Sequence, residues 1–391
     1  VSVVDAVASW PVEIRSLDPD DLDAVRDLWV RAFGPFSGDG WRTRHLLTAQ
    51  EGRMLGVYDG SRLVASGFFH AFEQWWHGRA VPMGGVAAVC VSPEDRGRGV
   101  GRRLTSGLLD LMDGRPLSAL YPATAPVYRS AGYEHAGAQY RVTLPLGPLR
   151  ALASGPVPVR RAGPGDAAHV TALLRRLHAE ARHSGPIDRG EAYLRGLLEN
   201  EDVFAYLAED GFLAYGWDGG NERFIVYRCV AGSADTARAL WAVVGSGSSI
   251  AHTALANIAP DDPLLWLLRD RSADDVRRVA WMLRVLDAPA AVAARGFPSA
   301  VSADVPLVID DVRCPRNAGA WRLTVTGGRG RLERAPEDHD ATHLPARALA
   351  ALYAGVPMAT LRGAGIVTGP GAADPLLDAA FAATPYMLDY F

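Results

Sequence analysis

Residues 89–104 read Val-Cys-Val-Ser-Pro-Glu-Asp-Arg-Gly-Arg-Gly-Val-Gly-Arg-Arg-Leu, an apolar strand that empties into an Arg/Gly turn and then into a helix. The chemistry this arrangement suits is the grip of a pyrophosphate. Gly97, Gly99 and Gly101 let the backbone approach an anion closely, and the N–H groups of the first helical turn, opened by Val100, have no partner inside the helix and point outward. Arg96, Arg98 and Arg102 add charge where phosphate oxygens would sit. The order Arg96-x-x-Gly99-x-Gly101 is followed by no Lys-Ser/Thr pair, and no acidic residue ends a second strand about twenty residues on, so the nucleoside-triphosphate and dinucleotide loops are set aside.

Residue types exclude further chemistry. All 40 basic residues are arginine, so a phosphate loop that needs its lysine, a Schiff-base lysine and a pyridoxal phosphate site cannot be drawn. A formal charge of −4 with 49% apolar residues describes a soluble globular protein and no electrostatic binder of nucleic acid. Cys90, Cys229 and Cys314 are odd in number and far apart, which argues against a disulfide framework and against a metal cluster and fits a reducing, cytoplasmic setting. No basic-then-apolar leader and no run near the roughly eighteen apolar residues of a membrane span are present, so no membrane partner is expected.

The elements that must position the loop belong to a repeated unit. Val12-Glu-Ile-Arg-Ser-Leu-Asp-Pro-Asp-Asp21 aligns with Val157-Pro-Val-Arg-Arg-Ala-Gly-Pro-Gly-Asp166, each reading as a short strand, a proline turn and a helix. In the first copy Leu22, Val25, Leu28, Trp29, Ala32 and Phe33 fall at helical spacing, and Leu173, Leu174 and Leu177 do so in the second. After the first helix come a strand at 54–58, a hairpin with arms 63–72 and 81–91, the loop, its helix over 100–112, and a strand at 117–121. That order suits an α+β mixed sheet opened by a ligand. In the second copy the segment from Cys229 to Leu240 has one glycine and no Arg-x-x-Gly-x-Gly, so this unit keeps the fold and loses the cofactor. Beyond about residue 289 the texture becomes a hairpin over 321–332, a helix over 346–353 and a closing helix over 375–383. The domains are expected at 1–150, 151–287 and 288–391.

The loop, with Pro93 before it, resembles the acyl-CoA pyrophosphate loop of the GNAT superfamily of N-acetyltransferases. The stretch from Leu344 to Gly365 resembles a sterol-carrier-like domain, which is expected to act as scaffold. Two GNAT folds closed by such a domain resemble the family named for enhanced intracellular survival. The resemblance covers the whole chain and is carried also by Val127-Tyr-Arg-Ser-Ala-Gly-Tyr133, by residues 281–297 and by Leu376-Leu-Asp-Ala-Ala-Phe-Ala. It implies a broad amine acetyltransferase that uses acetyl-CoA as co-substrate and no metal, and a homo-oligomer, often a hexamer.

Transfer from a thioester to an amine needs a neutral amine, a polarised carbonyl and a protonated leaving thiolate. No nucleophile set is evident, so direct attack is favoured over an acyl-enzyme. Val89, Cys90 and Val91 would lie as a strand edge beside the pantetheine arm, with Ala123 and Thr124 also assigned to the coenzyme and Cys90 read chiefly as a small core residue. Tyr128 matches the superfamily's tyrosine facing the coenzyme sulfur, and a phenol with a pKa of about 10 keeps its proton for a leaving thiolate. Tyr133 is read as packing. The resemblance also implies that the Phe391 α-carboxylate enters the active site as general base through water, and the apolar ending Pro385-Tyr-Met-Leu-Asp-Tyr-Phe391 favours its burial. Asp389, or a carboxylate elsewhere, is the alternative base.

Phe33, Phe36 and Trp41 would line the acceptor pocket, with Trp75 and Trp76 as further aromatic walls; core packing explains these tryptophans nearly as well. Where aminoglycoside-accepting members of the family would carry carboxylates, this chain has Pro35 and Tyr390, with Asp39 and Asp389 only nearby. A less acidic pocket follows. The readings from other classes are a non-catalytic acyl-CoA-binding protein and a lipid-binding or scaffold protein led by the C-terminal domain.

Overall fold

The computed structural model describes residues 12–36, 40–152, 155, 157–269 and 273–391. Its first unit contains β1 (Glu13–Ser16), β2 (Met54–Asp59), β3 (Arg62–Trp76), β4 (Arg79–Val91), β5 (Leu117–Leu120) and β6 (Glu134–Pro145), with α1 (Leu22–Phe33), α2 (Trp41–Gln50), α3 (Val100–Asp110) and α4 (Ala125–Ser130) between them. Helix α1 buries Leu22, Val25, Leu28 and Trp29 on one face. The long hairpin of β3 and β4 turns at His77 and Gly78, both at positive φ (46° and 75°), the pair whose local twist matches that of the strands.

The sequence repeat is a repeated device. Arg15 grips Asp21 with two bonds of 2.9 Å, and Arg160 grips Asp166 at 3.0 and 2.6 Å. Each aspartate also accepts a backbone N–H three residues back, from Asp18 at 3.1 Å and from Gly163 at 2.9 Å. The pair closes the turn between strand and helix in both copies.

The second unit contributes β7 (Arg160–Arg161), β8 (Ile187–Asp188), β9 (Val203–Ala208), β10 (Gly211–Trp217), β11 (Arg223–Ala231), β12 (Thr253–Ile258) and β13 (Val276–Val285). The two sheets are continuous, in the order β1-β2-β3-β4-β5-β13-β6-β12-β11-β10-β9-β7, and β8 pairs with β3. Strand β13 enters the first unit between β5 and β6, while β6 is the strand that meets β12. Each unit therefore supplies a strand to the join, which sequence periodicity does not reveal. No helix among the described residues is long and apolar enough to cross a membrane.

The third unit is a four-stranded sheet of β14 (Ala303–Asp310), β15 (Gly319–Thr326), β16 (Arg329–Arg334) and β17 (Thr342–Pro345) in the order β16-β15-β14-β17. Its helices at Ala346–Tyr353 and Asp374–Phe381 share one core with the first unit, in which Trp76 and Trp281 meet Leu352, Tyr353 and Phe381. Two ion pairs fix this docking. Arg284 of β13 meets Asp311 at 2.6 Å with both side chains out of solvent, and Arg347 Nε donates to Glu134 at 2.7 Å. Truncating one partner of a buried pair strands the other's charge. Asp311→Ala is therefore expected to lower stability by about 3–5 kcal/mol in denaturant unfolding, with loss of the third unit's docking.

Candidate functional site

Strands β4 and β5 run parallel and stay paired at Met83–Leu117, Gly84–Ser118 and Gly85–Ala119. Beyond Gly85, β4 pairs only with β3 among the described residues, so its edge from Val86 to Val91 offers unpaired backbone groups. The edge is also bulged. The register slips opposite Gly67, and Ala88 sits at φ 49°, a strained conformation for a residue with a side chain.

The edge leads into the Arg/Gly turn. Gly97 and Gly99 both adopt φ 79°, and nothing lies within 4 Å of where a Cβ on either would be. Gly99 caps α3 without a side chain, leaving the helix N-terminus open to an anion. Asp95, 1% exposed, holds the turn from behind through Arg62 at 2.7 Å and Arg98 at 3.2 Å, so Arg98 braces the loop as well as adding charge. Val89 and Val91 are partly buried against the core under α3, and the Cys90 thiol is packed 3.5 Å from Ser66 Oγ, which accepts from Trp29. Thr124 precedes α4 in extended conformation, and Ala123 and Thr124 are both exposed.

Tyr128 on α4 shares a core cluster with Val86 and Leu120, the residues on either side of the parting strands. Burial pushes its phenol up to about 12, with Cys90 adding to the shift. Tyr133 is fully buried and bonded to Ser118 Oγ at 2.6 Å, the packing role expected of it.

On the other side of the parting stands the chain's last residue. The Phe391 ring lies 5.3 Å from Phe72 and 5.6 Å from Tyr121, and occupies the space a side chain at Gly85 would need. The segment before it is pinned throughout. Tyr386 N–H donates to Ser184, Met387 N–H to Ala138, and the Leu388 carbonyl accepts from Asn257 at 2.9 Å and Gln139 at 3.3 Å. Tyr121 OH donates to the Asp389 carbonyl at 2.8 Å, and Tyr390 stacks on Tyr121 at 4.4 Å. Asp389 is 9% exposed and paired with buried Arg228 at 2.6 Å, with Arg189 at 3.9 Å. That carboxylate anchors the segment, an arrangement that removes it from the role of alternative base.

The acceptor side is aromatic but built partly from other residues than the sequence singled out. Trp41 and Phe36 lie 6.2 Å apart, and contacts of 4.9–5.3 Å run from Trp41 to His45, on to Phe68, to His70 and to Phe72, which meets Phe391. Phe33 is 55% exposed at the outer end, edge-on to Trp29. Trp75 and Trp76 are not walls of this cleft. Trp76 has no exposure and packs on Trp281 and Tyr353 in the core beneath the third unit, while Trp75 turns toward His178. The strand alternation Phe68-x-His70-x-Phe72 was the signal for the missed residues, and nothing in the local sequence pointed to Tyr121. Pro35 is exposed, and Asp39 lies outside the described residues.

The second unit repeats the geometry without the anion site. Strand β11 runs parallel to β12 at residues 223–226 and continues to Ala231 paired only with β10 among the described residues, followed by a helix at Ala234–Gly245. There Ser233 Oγ accepts from Thr236 N–H, Thr236 Oγ donates to Asp210, and Asp235 sits in the first turn. The helix N-terminus is capped by its own Ser233 and flanked by negative charge.

Comparison with known proteins finds related domains along the chain. Models described as acetyltransferase (GNAT) domains match residues 13–136 and 185–285, and a sterol carrier protein domain matches residues 288–388. The chain is similar to a GCN5-related N-acetyltransferase from Kribbella flavida, with 45% identity, a TM-score of 0.95, and coverage of 99% of this chain and 100% of that one. An uncharacterised N-acetyltransferase of Streptomyces avermitilis is 27% identical over 91% of this chain and 93% of its own. The fold is shared with Eis1 from Mycobacterium abscessus, with 22% identity, a TM-score of 0.74, and coverage of 97% and 100%.

Burial holds the cleft histidines neutral, His45 at about 4 and His70 at about 3, with Arg189 and Arg53 also opposing charge on His70. Between about pH 3 and the ordinary value near 6.5 the unfolded chain binds a proton at residue 70 that the folded chain does not, so stability rises with pH there. Acidification below 6.5 is therefore expected to destabilise the protein, and His70→Phe to remove about 1.4 kcal/mol per pH unit from that slope in denaturant titrations between roughly pH 4 and 6.

Proposed function

The chain belongs to the GCN5-related N-acetyltransferase family, whose domains use acetyl-CoA as co-substrate, and from that premise we propose that it acetylates a primary amine on a small molecule by direct attack. The observation that carries this reading is the parting of β4 from β5, with Tyr128 on one side and Phe391 on the other. In it, the free edge of β4 pairs with the pantetheine amides, and the Arg/Gly turn and the α3 N-terminus hold the pyrophosphate. The two substrates are held side by side, so the reaction gains from proximity alone.

The Phe391 α-carboxylate takes a proton from the incoming ammonium through water, since a carboxyl with a pKa of about 3.5 is ionised at neutral pH. The neutral amine attacks the thioester carbonyl and its C–N bond forms as the C–S bond breaks. Tyr128 gives its proton to the leaving sulfur, and the extra proton left on the acylated nitrogen returns to the phenolate through water. The pKa of about 12 keeps the phenol protonated across the working range, and the burial that raises it also disfavours a bare thiolate beside it.

The acceptor is a monoamine with an apolar or aromatic body, because the walls are aromatic and the nearest charged groups favour no polycation. Arg189 lies over the Phe72 ring at 5.4 Å, and Asp389 is already neutralised by Arg228. The interior of the third unit is filled by side chains such as Leu307, Leu323, Leu349 and Phe381, which supports scaffold over lipid carriage.

Release of free CoA from acetyl-CoA over a panel of amines tests these roles. Tyr128→Phe and a chain lacking Phe391 are each expected to lose about 100-fold or more in kcat; turnover that survives the truncation moves the base elsewhere. Arylalkyl amines are expected to exceed kanamycin-type aminoglycosides by at least about tenfold in kcat/KM, and comparable values would refute the monoamine pocket.

A further inference from the structure

The parting of β11 from β12 in the second unit is not closed. A cavity of about 480 Å3 lies there, within the roughly 300–1,000 Å3 of small-molecule sites, bordered by the ends of both strands, the two flanking helices and the C-terminal segment at Tyr386 and Leu388. Its chemistry is the reverse of the first unit's. Glu180, Asp261 and Asp262 line it and no arginine does, in a chain whose 40 basic residues are all arginine.

The carboxylates of Asp261 and Asp262 form no ion pair among the described residues. Burial raises the pKa of Asp262, whose Oδ1 accepts from the Leu264 N–H at 3.0 Å, and backbone hydrogen bonds offset that burial only in part, with no cation beside it among the described residues. The facing histidine, His183, is held neutral by burial and supplies no counter-charge. Tyr386 is 5% exposed and lines the cavity, its hydroxyl makes no hydrogen bond among the described residues, and Asp261 and Asp262 stand near enough to disfavour its ionisation. A hydroxyl left unpaired on a cavity wall is available to bond a ligand there. Trp241, 2% exposed, and the His183 ring, edge-on to Tyr386 at 5.6 Å, add an apolar and aromatic wall.

We propose that this cavity is a second binding site, distinct from the acetyl-transfer site, for an organic cation that carries N–H donors on an apolar or aromatic body. The cationic head sits between Asp261 and Asp262 with the Tyr386 hydroxyl as a further partner, and the body lies along Trp241. Acyl-CoA is excluded, because its phosphates would meet Asp210, Asp235 and a helix N-terminus already capped by Ser233.

Benzamidine is a suitable probe, since its amidinium is charged, donates N–H bonds and is no acetyl acceptor. Isothermal titration calorimetry on the full chain is expected to show saturable binding that depends on Asp261 and Asp262. Asp262→Asn keeps an acceptor for the Leu264 N–H and Asp261→Asn alters an exposed side chain, so both fold; each is expected to weaken binding, Asp262→Asn by at least about tenfold and Tyr386→Phe by about threefold. Absence of saturable binding up to about 10 mM, or unchanged affinity in Asp262→Asn, would each overturn the proposal, the second by assigning the probe to the first unit's cleft.

Discussion

Two parallel strands that stay paired for three residues and then separate are the constraint on which the site depends. Where β4 leaves β5 after Gly85, one strand edge is stripped of its partner, and unpaired backbone groups of this kind must be satisfied by something else. Everything placed around the gap addresses that need. The bulge at Ala88 bends the edge, the Arg/Gly turn extends it, Tyr128 covers one side and the chain terminus enters from the other. The same gap recurs between β11 and β12, with its anion site removed and an acidic cavity in its stead.

The gap is kept open by long-range packing, and local propensity contributes little to it. Strand β13 holds β5 from the far side and carries Arg284 into the buried pair with Asp311, so the third unit braces the strand that borders the cleft. The C-terminal segment then returns across β6, β12 and β11. Gly137 and Gly185 allow this, since a side chain at either would collide with the Pro385 or Tyr386 backbone. The Arg228–Asp389 pair, nearly out of solvent, fixes the last turn of the path, so a residue on the second unit positions the end of the chain beside the first unit's cleft.

Much of the fold was legible in the sequence wherever a pattern is local. The strand-turn-helix of residues 89–104, the amphipathic α1, the Pro-Asp repeat and the Gly327-Gly328 hairpin each carry their geometry in neighbouring residues. The repeat proved more informative than its short length suggests, because Arg15–Asp21 and Arg160–Asp166 are the same ion pair at the same spacing. Tryptophan content was a poor guide. Trp76 and Trp41 look alike in composition, yet one has no exposure in the core under the third unit and the other backs the aromatic cleft.

By itself, the sequence determined the open form of the Arg/Gly turn, since φ near +79° at Gly97 and Gly99 and an uncapped helix start depend only on residues within the loop. It also determined that the second unit has no Arg-x-x-Gly-x-Gly order at the matching place. Tertiary structure alone decided the strand exchange through β13 and β6, the membership of His45, His70 and Tyr121 in the cleft, and the capture of Asp389 by Arg228. Those contacts join residues up to hundreds of positions apart, and their partners are chosen by which faces the joined sheet brings together, information that no local spacing holds.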